Sequence, residues 1–224
     1  MKKWIVFGLL MLMVIPATEA GRRKAKAGKI DNDVYTDSRY GFQMPIHENW
    51  KPRVEKDESD VRLILTQRNY AIPPDYLNAQ DYTKVPRVVV YVDTCSVNEH
   101  QFIDSLTSYD YKSDQKNAIM KEFDFLHEME IIPKGRSRLS VGDVSGTIWK
   151  GESKYTKEIQ VGSSSGATRV KGSYGGAIMA LKPDRNTIVL IHMMCEWDYY
   201  DDVLREVESM VAGMVFPKEK KGKK

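Results

Sequence analysis

Few side chains in this chain of 224 residues could cleave a bond. The run Gly162-Ser163-Ser164-Ser165-Gly166 matches the G-x-S-x-G pattern of serine hydrolases, which requires a strand before the serine and a helix after it. The residues that follow, Thr168 to Gly172, have the pattern of a strand. We therefore predict a hairpin loop here. A small serine hydrolase that pairs Ser164 with a histidine such as His192 is the alternative.

The side chains that could bind a metal are scattered along the sequence. No two histidines have the spacing of a zinc site, and no run has the pattern of a calcium or phosphate-binding loop. Three aspartates lie near the start of the last predicted helix, where capping and interaction with the helix dipole account for them without a metal. We predict no catalytic residue, no metal and no cofactor. The residues considered are His47, His100, His127, His192, Asp198, Asp201 and Asp202.

Cys95 and Cys195 each follow a strongly apolar run, Val88 to Val92 and Ile188 to Ile191. Both runs predict strands that are covered on both faces. The two sulfurs can form a disulfide if these strands are parallel neighbours, whereas antiparallel neighbours would carry them at opposite edges of the sheet. The sequence leaves two alternatives, a possible disulfide in an exported protein or two buried thiols.

The remaining elements predict a single layered α+β domain over residues 37–217. Its mostly antiparallel sheet has six to eight strands and is flanked by two or three helices. Ser96 and Glu99 fit a capping box for a helix over 97–109, and a last helix begins near Asp198. We expect turns at Trp50 and at 133–135, strand breaks at Gly142 and Gly146, and a hairpin that Lys182 to Arg185 close.

Residues 69–86 predict a long loop with apolar side chains of its own. Three prolines interrupt this segment, and three of its tyrosines are candidate binding residues. Such a loop inside a domain is functional or packs on itself. The candidates are Tyr70, Tyr76 and Tyr82.

Residues 1–20 have the pattern of a secretory signal peptide. Two lysines precede an apolar run from Trp4 to Ile15, and small residues at 18 and 20 suit a cleavage site. We expect cleavage and a periplasmic or extracellular protein. An uncleaved N-terminal anchor is the alternative.

The charge is concentrated at the two ends of the chain. Residues 21–29 carry +5 and 218–224 carry +4, and with +1 over the first twenty residues this leaves −7 for 30–217 out of a total of +3. We predict a disordered basic N-terminal arm over 21–36 and a basic C-terminal tail over 218–224. Arg22, Arg23 and Lys24 are candidates for contact with an anionic membrane surface, and solvation alone is the alternative. No nucleic-acid motif accompanies the arms.

The order of elements resembles the PsbP-like α/β/α sandwich superfamily over residues 37–216. The resemblance rests on a short Tyr40-Gly41-Phe42 strand running into Pro45, on Trp50, and on a C-terminal amphipathic helix that ends near Phe216. It implies a non-catalytic accessory domain that binds an unknown protein or envelope component. It transfers no functional residue. A sandwich that binds a lipid or another small ligand is a further alternative, which would require an apolar cavity.

Overall fold

The computed structural model describes residues 25–68, 86–107, 130–160 and 167–217. Neither α-helix in these ranges has the length and apolar content that a bilayer crossing requires. The helices are α1 Glu99–Thr107 and α2 Tyr200–Ala212, and a 3₁₀ turn, Trp197–Tyr199, leads into α2. The strands are β1 Gly28–Asp31, β2 Val34–Asp37, β3 Gln43–Pro45, β4 Trp50–Val54, β5 Val61–Gln67, β6 Arg87–Thr94, β7 Glu130–Val141, β8 Val144–Gln160, β9 Ala167–Lys182 and β10 Thr187–Glu196.

The main sheet has seven strands in the order β4-β5-β6-β10-β9-β8-β7, and every neighbouring pair is antiparallel. The predicted α+β class is confirmed. Strands β6 and β10 lie at the centre, and their apolar side chains are buried on both faces. The two continuous apolar runs predicted this central position, because such runs are stable only where both faces of a strand are covered.

The two helices cover opposite faces of this sheet. Lys150 Nζ lies 2.9 Å from Glu208 Oε1, which places α2 on the face of Lys150. The preceding residue, Trp149, points to the other face together with its ladder partner Arg136, whose guanidinium binds Asp104 of α1. The described chain is therefore layered as helix, sheet and helix, as the resemblance implies.

Residues 25–36 belong to the folded body. Strands β1, β2 and β3 form a second, three-stranded sheet, and the side chain of Tyr35 on β2 is completely buried. The prediction of a disordered arm over 21–36 is wrong for these residues, because alternate side chains of β2 enter the core and buried Arg62 pairs with Asp37 at the end of that strand.

The turn that we expected at Trp50 is wrong, because Trp50 is the first residue of β4 and its side chain is fully buried. The expected turn at 133–135 is an irregularity inside β7, where the register against β8 shifts between Ile131 and Arg136. The strand break predicted at Gly142 is confirmed: this residue lies in the turn between β7 and β8 with a φ of +56°. The break predicted at Gly146 is wrong, because Gly146 lies within β8 and pairs with Leu181. A glycine fits there because a Cβ would lie 2.6 Å from the carbonyl oxygen of Ala180.

Side-chain hydrogen bonds cap the N-terminus of α1 and stabilise the turn between β9 and β10. The capping box of α1 uses Asn98 and Gln101 instead of the predicted Ser96 and Glu99: the Gln101 N–H donates to Asn98 Oδ1 at 2.9 Å, and Gln101 Oε1 accepts the Asn98 N–H at 3.4 Å. The predicted hairpin between β9 and β10 is confirmed. Asp184 Oδ1 accepts N–H bonds from the two residues that lead into β10, Asn186 and Thr187.

Candidate binding groove

An open groove of about 390 Å³ lies between the end of β5 and the start of α2. The strands of the main sheet end at two opposite sides, and we call the side that carries the groove the groove end. The other side, where β4 ends at Val54 and β10 begins at Thr187, is the terminal end. Residues of β5, the 3₁₀ turn and α2 line the groove. They are Gln67, Tyr199, Asp202, Val203, Arg205 and Glu206.

The carboxylate of Glu206 fixes one wall of the groove to the sheet. It accepts the indole Nε1–H of Trp50 and the amide Nδ2–H of Asn49, each at 2.7 Å. Arg68 adds a bond from Nε to the carbonyl oxygen of Trp50 at 3.1 Å. Because Glu206 is separated from both partners by more than 150 residues, this wall exists only in the folded chain.

The 3₁₀ turn beside the groove carries two exposed aromatic side chains, which we call the aromatic rim: Tyr199 lines the groove, and Trp197 lies two residues before it in the same turn. Trp197 and Tyr199 are 37% and 42% exposed. The indole of Trp197 stacks on the ring of Tyr200 at 5.0 Å with an interplanar angle of 10°. Tyr200 in turn sits directly on β9 at Gly175, where a Cβ would lie 2.1 Å from the ring. The rim is therefore a supported platform, which costs little conformational entropy on binding.

The charge around the groove is predominantly negative. Asp202 and Glu206 line the groove together with Arg205, and two further aspartates lie at or just before the start of α2. Arg205 donates to the carboxylate of Asp202 and, through Nε, to the carbonyl oxygen of Asp201 at 3.2 Å. The helix N-cap, Tyr199, makes no side-chain capping bond, so the predicted capping role of the aspartates is absent and the dipole interaction remains. The aspartates are Asp198, Asp201 and Asp202.

The predicted binding loop begins and ends beside this groove. Gln67 lines it, and the Gln67 N–H lies 3.5 Å from the carbonyl oxygen of Pro86, so the chain departs and returns at one place. The loop tyrosines themselves lie outside the described residues, as do the basic candidates and the Ser164 run. These are Tyr70, Tyr76, Tyr82, Arg22, Arg23, Lys24 and residues 161–166 and 218–224.

Cys95 and Cys195 stand at opposite ends of the ladder between β6 and β10. This ladder is antiparallel and pairs Thr94 with Thr187 and Arg87 with Met194, so the two cysteines are separated by about 30 Å along the strands. A disulfide needs Cα atoms within about 7 Å. The possible disulfide is therefore wrong, and both cysteines are buried free thiols. Burial raises the pKa of Cys195, with smaller contributions from Glu196 and Asp201.

The hydrolase alternative pairs Ser164, which lies outside the described residues, with His192, which lies inside β10 and pairs with Ile178 of β9. Burial, and secondly the positive charge of Arg87, lower the pKa of His192 to about 3, so this imidazole is neutral at physiological pH.

The described ranges hold no group of three or more histidine, cysteine or carboxylate side chains arranged for a metal ion. Sequence reasoning missed the aromatic rim and Glu206. The pair Trp197 and Tyr199 could have indicated exposed aromatic side chains, because both residues lie just before the last helix and outside the apolar stripe that this helix buries. The sequence around Glu206 does not indicate its partners, Asn49 and Trp50, because they lie more than 150 residues away.

Comparisons with known proteins show similarity of fold. No family model matches the chain, and no curated protein sequence matches it. A solved structure of LpqN from Mycobacterium tuberculosis, described as involved in cell envelope biogenesis, is similar at 6% identity and a TM-score of 0.45, covering 79% of this chain and 84% of that one. A cyanobacterial PsbP (CyanoP) from Synechocystis sp. PCC 6803 is similar at 11% identity and a TM-score of 0.40, covering 90% and 99%.

Proposed function

We propose that this protein is an exported, non-catalytic binding domain that docks a basic segment of a partner protein in the groove. The observation that carries the proposal is the pair of exposed aromatic side chains on the 3₁₀ turn, Trp197 and Tyr199, of which Tyr199 lines the groove together with Asp202 and Glu206. Tryptophan, tyrosine and arginine dominate the binding energy of protein interfaces, and Arg205 adds the third residue type.

The charge of the groove selects the partner. Four carboxylates in and beside the groove, against the guanidinium groups of Arg205 and Arg68, leave a net negative charge that attracts lysine and arginine side chains, and the same cations are stabilised over the faces of tryptophan and tyrosine. A basic segment is therefore complementary in both respects. The loop of residues 69–85, which departs from Gln67, would supply Tyr70, Tyr76 and Tyr82 to the same contact.

The proposal also includes export of the protein out of the cytoplasm. The signal-like segment ends at residue 20, and the first described backbone hydrogen bond to the body is accepted by the carbonyl oxygen of Ala25, at 2.8 Å from the Asp57 nitrogen. Cleavage after residue 20 would leave the folded body intact, and the protein would work in the periplasm or outside the cell.

The first test is binding of a lysine-leucine peptide, with a glutamate-leucine peptide as the opposite-charge probe. Trp50 and Trp149 are buried, so in a Trp4→Phe background the emission of Trp197, which is exposed beside the groove, reports binding there. We expect a blue shift with the basic peptide only. The double variant Asp201→Lys/Asp202→Lys should weaken binding by about tenfold or more, and the matched control Asp143→Lys, in the turn at the terminal end, should not. Equal binding of both peptides would refute the proposal.

The second test locates the contact in the cell. A photoreactive amino acid at Tyr199 should crosslink a protein with a basic surface segment, and the same group at Ile131, which is 51% exposed on edge strand β7, should not. The crosslink should be lost in the Asp201→Lys/Asp202→Lys background. Identical products from both positions would count against the groove.

A further inference from the structure

Strands β8 and β9 continue beyond the other strands of the main sheet at the groove end. β10 ends opposite Tyr174 of β9, and β7 begins opposite Glu152 of β8. From there outward, β8 and β9 form a ladder of two strands with no third strand beside it among the described residues. We call this pair of segments, residues 154–160 and 167–173, the ribbon. It extends the sheet by about 24 Å.

The ribbon carries a net positive charge. Four basic residues against Glu158 give it +3. Lys154 pairs with Ser173 and Lys171 pairs with Thr156, so the two lysines are diagonal neighbours on one face, about 7–8 Å apart. Both are exposed, and neither forms an ion pair with another described residue. Like charges at this distance favour an acidic partner. The basic residues are Lys154, Lys157, Arg169 and Lys171.

The ribbon begins beside the acidic start of α2. Tyr200, the first residue of α2, sits on β9 at Gly175, two residues from the ribbon. Lys154 shares its face of β8 with Lys150, which binds Glu208 of α2. The exposed lysines of the ribbon and the carboxylates at the start of α2 are therefore neighbouring halves, one positive and one negative, of a single surface at the groove end.

We infer that two copies of this chain form a two-fold dimer in which the ribbon of each copy docks in the groove of the other. The inference rests on the proposed function, because it identifies the basic segment that the groove accepts with the ribbon of a second copy. A two-fold axis brings the same surface of both copies together, so a surface with a positive half beside a negative half is complementary to itself. Lys154 and Lys171 of one copy then meet Asp201 and Asp202 of the other.

The aromatic rim also suits the ribbon. Trp197 and Tyr199 are exposed beside the same carboxylates. A lysine packs its aliphatic stem on an apolar surface, and its ammonium group is stabilised over an aromatic face. A ribbon of two strands is only marginally stable alone in water, so a docking surface stabilises it. In a two-fold dimer the contact between ribbon and groove is made twice.

Sedimentation equilibrium of the full chain at low salt tests the inference. The parent should dimerise. We expect Lys154→Glu/Lys171→Glu and Asp201→Lys/Asp202→Lys each to raise the dissociation constant of the dimer about tenfold or more, because each places like charges in both contacts. An equimolar mixture of the two variants should dimerise again, since an acidic ribbon then meets a basic groove and a basic ribbon meets an acidic groove.

The matched control reverses two exposed basic residues of edge strand β7, Lys134→Glu/Arg138→Glu, and should leave the dissociation constant within about twofold of the parent. A parent that is monomeric up to about 1 mM would overturn the inference. Charge-reversed variants that each dimerise like the parent, or a mixture that stays monomeric, would do the same.

Peptide binding separates this inference from the proposed function. Lys154→Glu/Lys171→Glu leaves the groove unchanged and should still bind the lysine-leucine peptide. A monomeric parent that binds this peptide would overturn the dimer and leave the proposed function standing.

Discussion

The guanidinium of Arg62 and the carboxylate of Asp37 face each other in the protein interior, with Nε donating to Oδ2 at 2.8 Å. Both side chains are essentially inaccessible to water. Arg62 also donates to the carbonyl oxygen of Ala27 at 3.1 Å and to the carboxylate of Asp57 at 2.9 Å. This one side chain therefore fastens the N-terminal hairpin to the main sheet.

Removing one partner of this pair should be strongly destabilising. We expect Asp37→Asn to lower the free energy of unfolding by about 3–5 kcal/mol, because it leaves a buried guanidinium without its counter-charge. The double variant Asp37→Asn/Arg62→Met should recover part of that loss. Urea denaturation measures both, with the exposed Asp202→Asn as control. A single variant within about 1 kcal/mol of the parent would show that the pair is solvated.

The bond between Trp50 and Glu206 should matter for stability as well as for the groove. We expect Trp50→Phe to cost about 2–3 kcal/mol, because it removes both apolar volume and the indole donor to the carboxylate. Glu206→Gln should cost about 1–2 kcal/mol. Glu208→Gln, two residues further along α2 and 41% exposed, should cost less than about 0.5 kcal/mol. Equal effects of the two glutamine substitutions in thermal unfolding would argue against a structural role for Glu206.

Acid should destabilise the fold through His192. Its pKa is about 3 in the folded protein, against about 6.5 in the unfolded chain. Between these values the unfolded state binds the additional proton, so stability is unaffected above pH 6.5 and falls as the pH drops from 6.5 towards 3. The loss at pH 5 is about 2 kcal/mol.

The measurement is the free energy of unfolding between pH 7 and 4.5, for the parent and for His192→Gln. Other titrating groups are common to both proteins and cancel in the difference of slopes. The parent should lose stability more steeply, and parallel curves would mean that His192 protonates without unfolding.

Both thiols should be free and protected in the native protein. Alkylation without a reductant should add two adducts to the urea-unfolded chain and none to the folded one, since both cysteines are buried. Adding a reductant should leave the melting temperature unchanged. A mass that shows adducts only after reduction would restore the disulfide alternative.

The central strands, both helices and the hairpin closed by Asp184 followed from local sequence patterns. Val88–Val92 and Ile188–Ile191 are apolar at every position, and the stripe of Val203, Val207 and Met210 repeats with the period of a helix. Such patterns report how much of each element is covered, since burial depends on the period of the side chains. They carry no information about which element does the covering.

Amino-acid order alone thus determined the fold class, the burial of the two central strands and the basic charge of both tails. Tertiary structure decided that β6 and β10 run antiparallel and keep the cysteines apart, that residues 25–36 join the folded body through buried Tyr35, and that Glu206 meets Trp50. It also brought residues 27 and 217, near the two ends of the described range, to the turn of residues 38–41. These relationships join residues far apart in sequence, and strand pairing and long-range packing select them among the many arrangements that the same local patterns permit.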